Sequence, residues 1–165
     1  MSQLLYPVDQ AIAFAGLLAD LNDSNYVISR ANEEAFGLEY GLGVIEGTAD
    51  DQMLAVTNAA QPLLGVTAHS HANEVGADDL NLIDANKMGN VLRQGTIYVQ
   101  VEDTVVKGGV PFVRVVAGGG GSLLGAFRSD GDTASARALT LARYATGAAA
   151  GGFAVLEFSK DSALS

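Results

Sequence analysis

The chain has no cysteine and no tryptophan, two histidines, and nine basic residues against nineteen acidic ones. Each shortage excludes something. Without cysteine there is no disulfide framework, no thiolate catalysis and no Cys-ligated zinc. Two histidines at 69 and 71 leave no remote histidine to build a catalytic triad around a serine. No apolar run approaches the roughly 20 residues that span a bilayer, so no membrane partner is expected. The first twenty residues lack a basic start followed by an apolar core, so no secretory signal is read and a soluble protein is expected. Few aromatics are interleaved with bases, which leaves nucleic-acid stacking little to work with.

What is present is a hydrophobic content of 48% spread over 165 residues, enough for one domain with a real core. The net charge of −10 is unevenly placed. Residues 1–90 hold two bases (Arg30, Lys87) against thirteen acids, whereas residues 91–165 hold seven bases against six acids. A chain so poor in clustered Lys and Arg is an unsuitable partner for a phosphate backbone, and no direct nucleic-acid contact is expected.

The stretch Asn90–Ala117 organises the rest. From Gly95 to Glu102 it alternates, with Ile97, Val99 and Val101 on one face and Thr96, Tyr98, Gln100 and Glu102 on the other. A period of two places alternate side chains on opposite faces of a strand, so one face is dry and one wet. Lys107-Gly108-Gly109 then signals a turn, and a second β-rich run, Val110–Val116, follows. The pattern predicts an amphipathic hairpin whose tip, Asp103–Gly109, is available to a partner.

Around this unit, short β-runs recur at spacings of roughly 10 residues, a sandwich or barrel pattern. Tyr26–Ala31, the glycine-rich Phe36–Ile45, Met53–Val56, Leu63–Ala68, Leu123–Arg128 and Phe153–Phe158 all read as strands. The last is apolar on both faces apart from Glu157, which predicts a place in the core or an interface. Residues 69–90 read as a long polar loop with one helical turn over 77–83, and Gly118–Gly121 as a loop tip. Thr133–Thr146 is compatible with a helix or with extended chain. Val8–Leu21 has Val8, Ile12, Ala15 and Leu18 at helical spacing, with Asp9 as a cap, but Gly16 costs it about 1 kcal/mol. A short helix and an irregular arm both fit. The expected fold is all-β and mainly antiparallel, a small β-barrel or jelly-roll-like sandwich at 22–165, with an extended N-terminal arm at 1–21 and at most one or two short helices.

Candidate chemistry is thin. His69-x-His71 with Glu74 has metal-ligand spacing, but it lies in a polar loop where solvated side chains are the ordinary outcome. Gly118–Ser122 matches no phosphate-loop pattern. Asp50-Asp51 and Asp78-Asp79 are adjacent pairs that point apart in extended chain. No catalytic residue, metal ligand or cofactor site is therefore assigned, and a structural or binding module is expected rather than an enzyme. The residues most suited to contacting a partner are the apolar ones of the arm: Leu4, Leu5, Tyr6 and Pro7, with Phe14 and Leu17 behind them.

Several segments in order carry a resemblance: AFAGLLAD at 13–20, the Gly-rich strand closing on Gly47, Thr48, Asp50, Asp51 and Gln52, and LLGVTAHSH at 63–71. VLRQGTIYVQVEDTVVKGGVPFVRV at 91–115, GAFRSD at 125–130 and ARYATGAAAGGFAVLEF at 142–158 complete the set. Together they resemble the structural cement, or capsid decoration, proteins of tailed bacteriophages. That resemblance implies a non-enzymatic β-barrel protein on the outer surface of the virion, assembled in the host bacterial cytoplasm. Its implied partners are the major capsid protein, whose neighbouring subunits it would clamp, and itself as a homodimer or homotrimer.

Two other readings use the same residues. A host- or carbohydrate-attachment module would need an exposed aromatic platform, which five tyrosines, six phenylalanines and no tryptophan supply poorly. A lipoyl-type carrier would use Lys107 at a hairpin tip, but no flanking carrier motif accompanies it.

Overall fold

The computed structural model describes residues 13–20, 25–57, 59–69, 82–118 and 123–159. Twelve short strands run through them, with one single-turn 3-10 helix at Asp132–Ala134. Five strands close a barrel: β1 (Tyr26–Asn32), β3 (Gly43–Glu46), β4 (Gln52–Ala55), β5 (Gly65–Ala68) and β7 (Met88–Gln100). Their order around the ring is β1-β4-β3-β5-β7, and β7 pairs back onto β1. All these pairings are antiparallel except β1 with β4. The all-β, mainly antiparallel reading of the sequence holds.

Strand β7 is the spine. Its first half, Met88–Gln94, lies between β1 and β5 in the barrel. At Gly95 (φ +123°) it turns out of the ring, and a Cβ there would sit 1.9 Å from Asn25 Oδ1, so only glycine fits. The second half, Gly95–Gln100, pairs with β12 (Phe153–Phe158), which in turn carries β11 (Ala142–Tyr144). The alternation seen in the sequence appears as drawn: Ile97 and Val99 are fully buried and Val101 nearly so. Each such side chain contributes about 1.5–3 kcal/mol relative to staying in water.

The predicted hairpin does not form. The run after the Lys107–Gly109 turn becomes β8 (Phe112–Arg114), and it joins a separate three-stranded sheet between β10 (Ala136–Ala138) and β9 (Phe127–Arg128). The partner of β7 is instead β12, more than fifty residues downstream. Two-residue alternation identifies a dry face but not which strand will cover its edge.

Other boundaries also shift. The stretch 133–146 is not a helix: Asp132, Thr133 and Ala134 have positive φ, which ends any right-handed turn, and β10 and β11 follow. Residues 123–126 form a turn, leaving a two-residue β9. The glycine-rich run breaks into β2 (Leu38–Glu39), a turn at Gly41 (φ +78°) and β3. β2 pairs with β6 (Leu82–Ile83), and Met88–Asn90, read as loop, already belongs to β7. Most of the expected helical turn over 77–83 and the glycines 119–121 lie outside the described residues.

Two apolar clusters hold the fold. The larger runs from Ile45, Val66 and Leu92 to Phe127, Tyr144 and Leu156, and the smaller gathers Leu38, Val44, Met53, Ile83 and Val91. Neighbours along a strand, such as Val44–Ile45 and Val91–Leu92, feed different clusters, so these barrel strands are buried on both faces. The fully buried polar side chains of Asn32 and Thr67 are satisfied. Asn32 donates from Nδ2 to the carbonyls of Phe36 and Ile83, both at 2.8 Å, and accepts from the Glu34 amide. Thr67 donates to the Glu39 carbonyl at 2.8 Å and accepts from Leu42 N–H.

Candidate functional site

Of the predicted contact residues, Leu4, Leu5, Tyr6 and Pro7 lie outside the described residues. Phe14 and Leu17 sit on the segment 13–20, which is extended with one turn rather than helical. That segment runs along the free side of the second half of β7. Gly16 and Ala19 donate to the carbonyls of Tyr98 and Thr96, at 2.8 and 3.0 Å, and Tyr98 donates to Leu17 at 2.8 Å. The His69 amide donates to the Gly16 carbonyl at 2.7 Å. At Gly16 (φ +83°) a Cβ would lie 2.6 Å from Tyr40 Cβ, which explains the glycine that weakened the helix pattern. Phe14, 37% exposed, places its ring edge-on to His69 with centroids 4.9 Å apart, and His69 meets Tyr40 at 5.0 Å. Phe14 and Leu17 therefore lie on a segment that is held to its own barrel.

His69 is thus engaged with aromatic rings, while His71 and Glu74 lie outside the described residues. Among the described residues no group of side chains could hold a metal ion.

A cluster of charges that the sequence reading did not single out joins the two sheets. Arg114 on β8 is 3% exposed and grips Glu102, just past the end of β7, through Nε at 2.7 and 3.0 Å and a terminal nitrogen at 2.6 Å. The same side chain reaches Asp132 at 2.9 Å. Arg128 on β9 contacts Glu102 at 3.2 Å, Asp130 at 2.8 Å and Asp132 at 3.0 Å. Asp103 accepts from the amide and hydroxyl of Ser129 at 2.8 and 2.7 Å. The Glu102 carboxylate raises the Arg114 pKa further above its ordinary value. The Asp132 amide, with Arg128 behind it, lowers that of Asp130. Beside the cluster Tyr144 donates to the Arg128 carbonyl at 3.0 Å, and burial pushes its hydroxyl pKa up. Carboxylates already spent on guanidinium groups make a weld, not an acid-base pair. The signal available in sequence was only opposite charges at the ends of β-runs, which register alone could bring together.

An open cleft of about 290 Å³ lies where the segment 13–20 meets the junction of the sheets, lined by Ala15, Tyr40, Leu42, Gln100, Leu123 and Ala126 among others. Two carboxylates, Glu39 and Glu102, also line it. Several apolar side chains are left exposed, among them Val106 at 67% and Val110 at 47% on one turn, Tyr26 and Val116, and Phe36 and Met88. Such a surface can bind a partner.

A family model described as structural cement protein (E217 gp24/Pam3 gp6) matches residues 2–159. The chain belongs to this phage structural cement family. Among solved structures, the cement protein is similar to a chain in the capsid of Myoviridae phage XM1, with a TM-score of 0.73 and 13% identity over 94% of this chain and 95% of that one. At that identity the likeness shows a shared fold. A head-fibre base, gp8.5 N base of bacteriophage phi29, aligns with a TM-score of 0.42 and 9% identity over 82% of this chain and 94% of that one. No curated protein matches the chain. Membership makes the cement protein a structural component of a phage particle.

Proposed function

We propose that the protein decorates the outer surface of the phage head and clamps neighbouring major capsid subunits against the pressure of packaged DNA, without catalysis or cofactor. The observation that carries this reading is the match to the cement family across residues 2–159. The physical design agrees. A barrel with strands β3, β5 and part of β7 buried on both faces, tied to a second sheet by Arg114 and Glu102, resists deformation, as a clamp must.

Residues 1–21 act as an arm and 22–165 as the body, with Leu4, Leu5, Tyr6 and Pro7 reaching a neighbouring subunit from the root at Phe14 and Leu17. A specific interface needs about 800 Å² per partner, which an apolar arm and one side of the barrel can supply. Self-association into a dimer or trimer then multiplies weak contacts through avidity.

Co-sedimentation with purified heads that lack the protein tests the reading. Saturable binding to the heads is expected, and a chain deleted for residues 1–7 should bind less while melting at the same temperature. A protein that never sediments with heads contradicts the decoration role. Unchanged binding by the deletion contradicts the arm.

A further inference from the structure

The turn after Val105 combines three properties that seldom coincide on a solvated loop. First, it is rigid. Gly109 N–H closes the turn on the Val106 carbonyl at 3.0 Å, with Gly108 (φ +81°) in the position that favours glycine. Val105 exchanges two backbone hydrogen bonds with Ala148, at 2.9 and 3.1 Å. Gly108 N–H donates to the Tyr144 carbonyl at 2.7 Å, and Tyr144 N–H donates to Gly109 at 3.1 Å. The turn thereby covers the outer edge of β11, which would otherwise present unpaired backbone groups.

Second, its side chains are apolar and exposed. Val106, at 67%, is more exposed than any other large hydrophobic among the described residues, and Val110 is 47% exposed. A Cβ built at Gly108 meets nothing within 4 Å, so the outer side of the tip faces open space. Third, Lys107 at the apex is exposed, and no carboxylate among the described residues forms an ion pair with it. Turns that only reverse the chain are ordinarily polar. An isolated exposed valine needs no explanation, but two flanking a cation on a braced tip form a contact element.

We propose that the 105–110 turn is a preformed anchor on the capsid: Val106 and Val110 enter an apolar depression on a major capsid subunit, and Lys107 meets a carboxylate at its rim. This rests on the head-decoration reading and names a contact in addition to the arm. The turn's bracing means little ordering is lost on docking. Lys107, in no ion pair among the described residues and on the less acidic half of the chain, selects an acidic rim.

The test is co-sedimentation with heads lacking the protein, using wild type, the double variant Val106→Ser/Val110→Ser and the single variant Lys107→Glu, each melted in isolation. Both variants change exposed side chains and should keep the wild-type melting temperature to within a few degrees. The double variant is expected to bind heads roughly tenfold or more weakly, and Lys107→Glu to lose affinity most at low salt, where a rim charge is least screened. If wild type itself does not bind heads, the decoration reading fails. If wild type binds and both variants bind equally well, the decoration reading stands and the anchor is refuted.

Discussion

Arg114 and Glu102 face each other across the junction of the two sheets, with both carboxylate oxygens engaged by one nearly buried guanidinium at 2.6 to 3.0 Å. One partner lies two residues past the end of the barrel's longest strand and the other on the middle strand of the second sheet. The pair therefore adds an ionic link to a junction that Val101 and Phe127 also bridge through the backbone. Replacing Arg114 with Met would strip Glu102 of its bidentate partner and leave Glu102 and Asp132 sharing Arg128 alone among the described residues. Breaking one side of such a pair costs about 3 kcal/mol, a fall in melting temperature of ~10 °C for a domain of this size. Calorimetry of the variant checks this; a loss under about 1 kcal/mol would mean the junction is held by packing alone.

Gly125 and Gly108 have nearly the same backbone, φ +82° and +81°, in different surroundings. A Cβ on Gly125 would lie 2.3 Å from the Gly43 carbonyl oxygen, while one on Gly108 meets nothing. Gly108→Ala should therefore cost only the left-handed conformation, about 1 kcal/mol, and Gly125→Ala roughly 3 kcal/mol or more because strand β3 must move as well. Chemical denaturation of the two variants side by side separates close approach from conformation, and equal losses would contradict the packing described here.

Thr133 is exposed with φ +53°, beside Asp132 and Ala134 at +40° and +72°. Glycine adopts this conformation freely, so Thr133→Gly should raise the melting temperature by a few degrees despite its extra freedom when unfolded. A clear fall would show that the left-handed turn is not strained.

Acid should weaken the fold through two carboxyls, the half-buried Glu33 and the exposed Asp130. The Thr48 hydroxyl, then its amide, lower the pKa of Glu33, and the Asp132 amide, then Arg128, lower that of Asp130. A carboxyl depressed in the folded state adds stability above its unfolded pKa, about 4, and that contribution disappears as pH falls through the lower folded value. Melting temperature should be flat from neutral pH to about 5 and decline below about 4. Glu33→Gln and Asp130→Asn should each flatten the decline; unchanged slopes would remove these groups from the account.

The sequence exposed the dry face of β7 because Ile97, Val99 and Val101 obey a two-residue period that burial enforces. It did not reveal their cover, since β12 pairs from more than fifty residues away and edge choice leaves no local trace. The false hairpin arose because Lys107-Gly108-Gly109 is a true turn signal, yet the chain leaves it for β8 and the charges at 102, 114 and 128. Gly16 looked like a defect in a helix and is instead the point where the arm root passes Tyr40. The tip at 103–109 was legible as a turn; its exposed valines and braced backbone became visible only once β11 was seen beneath it.

The central claim is that this barrel holds a phage head together. Heads lacking the protein should be heated with and without it, and DNA release followed with an intercalating dye. Release shifted to higher temperature in proportion to occupancy is the predicted result. Saturable binding with no change in the temperature of release would contradict the clamp.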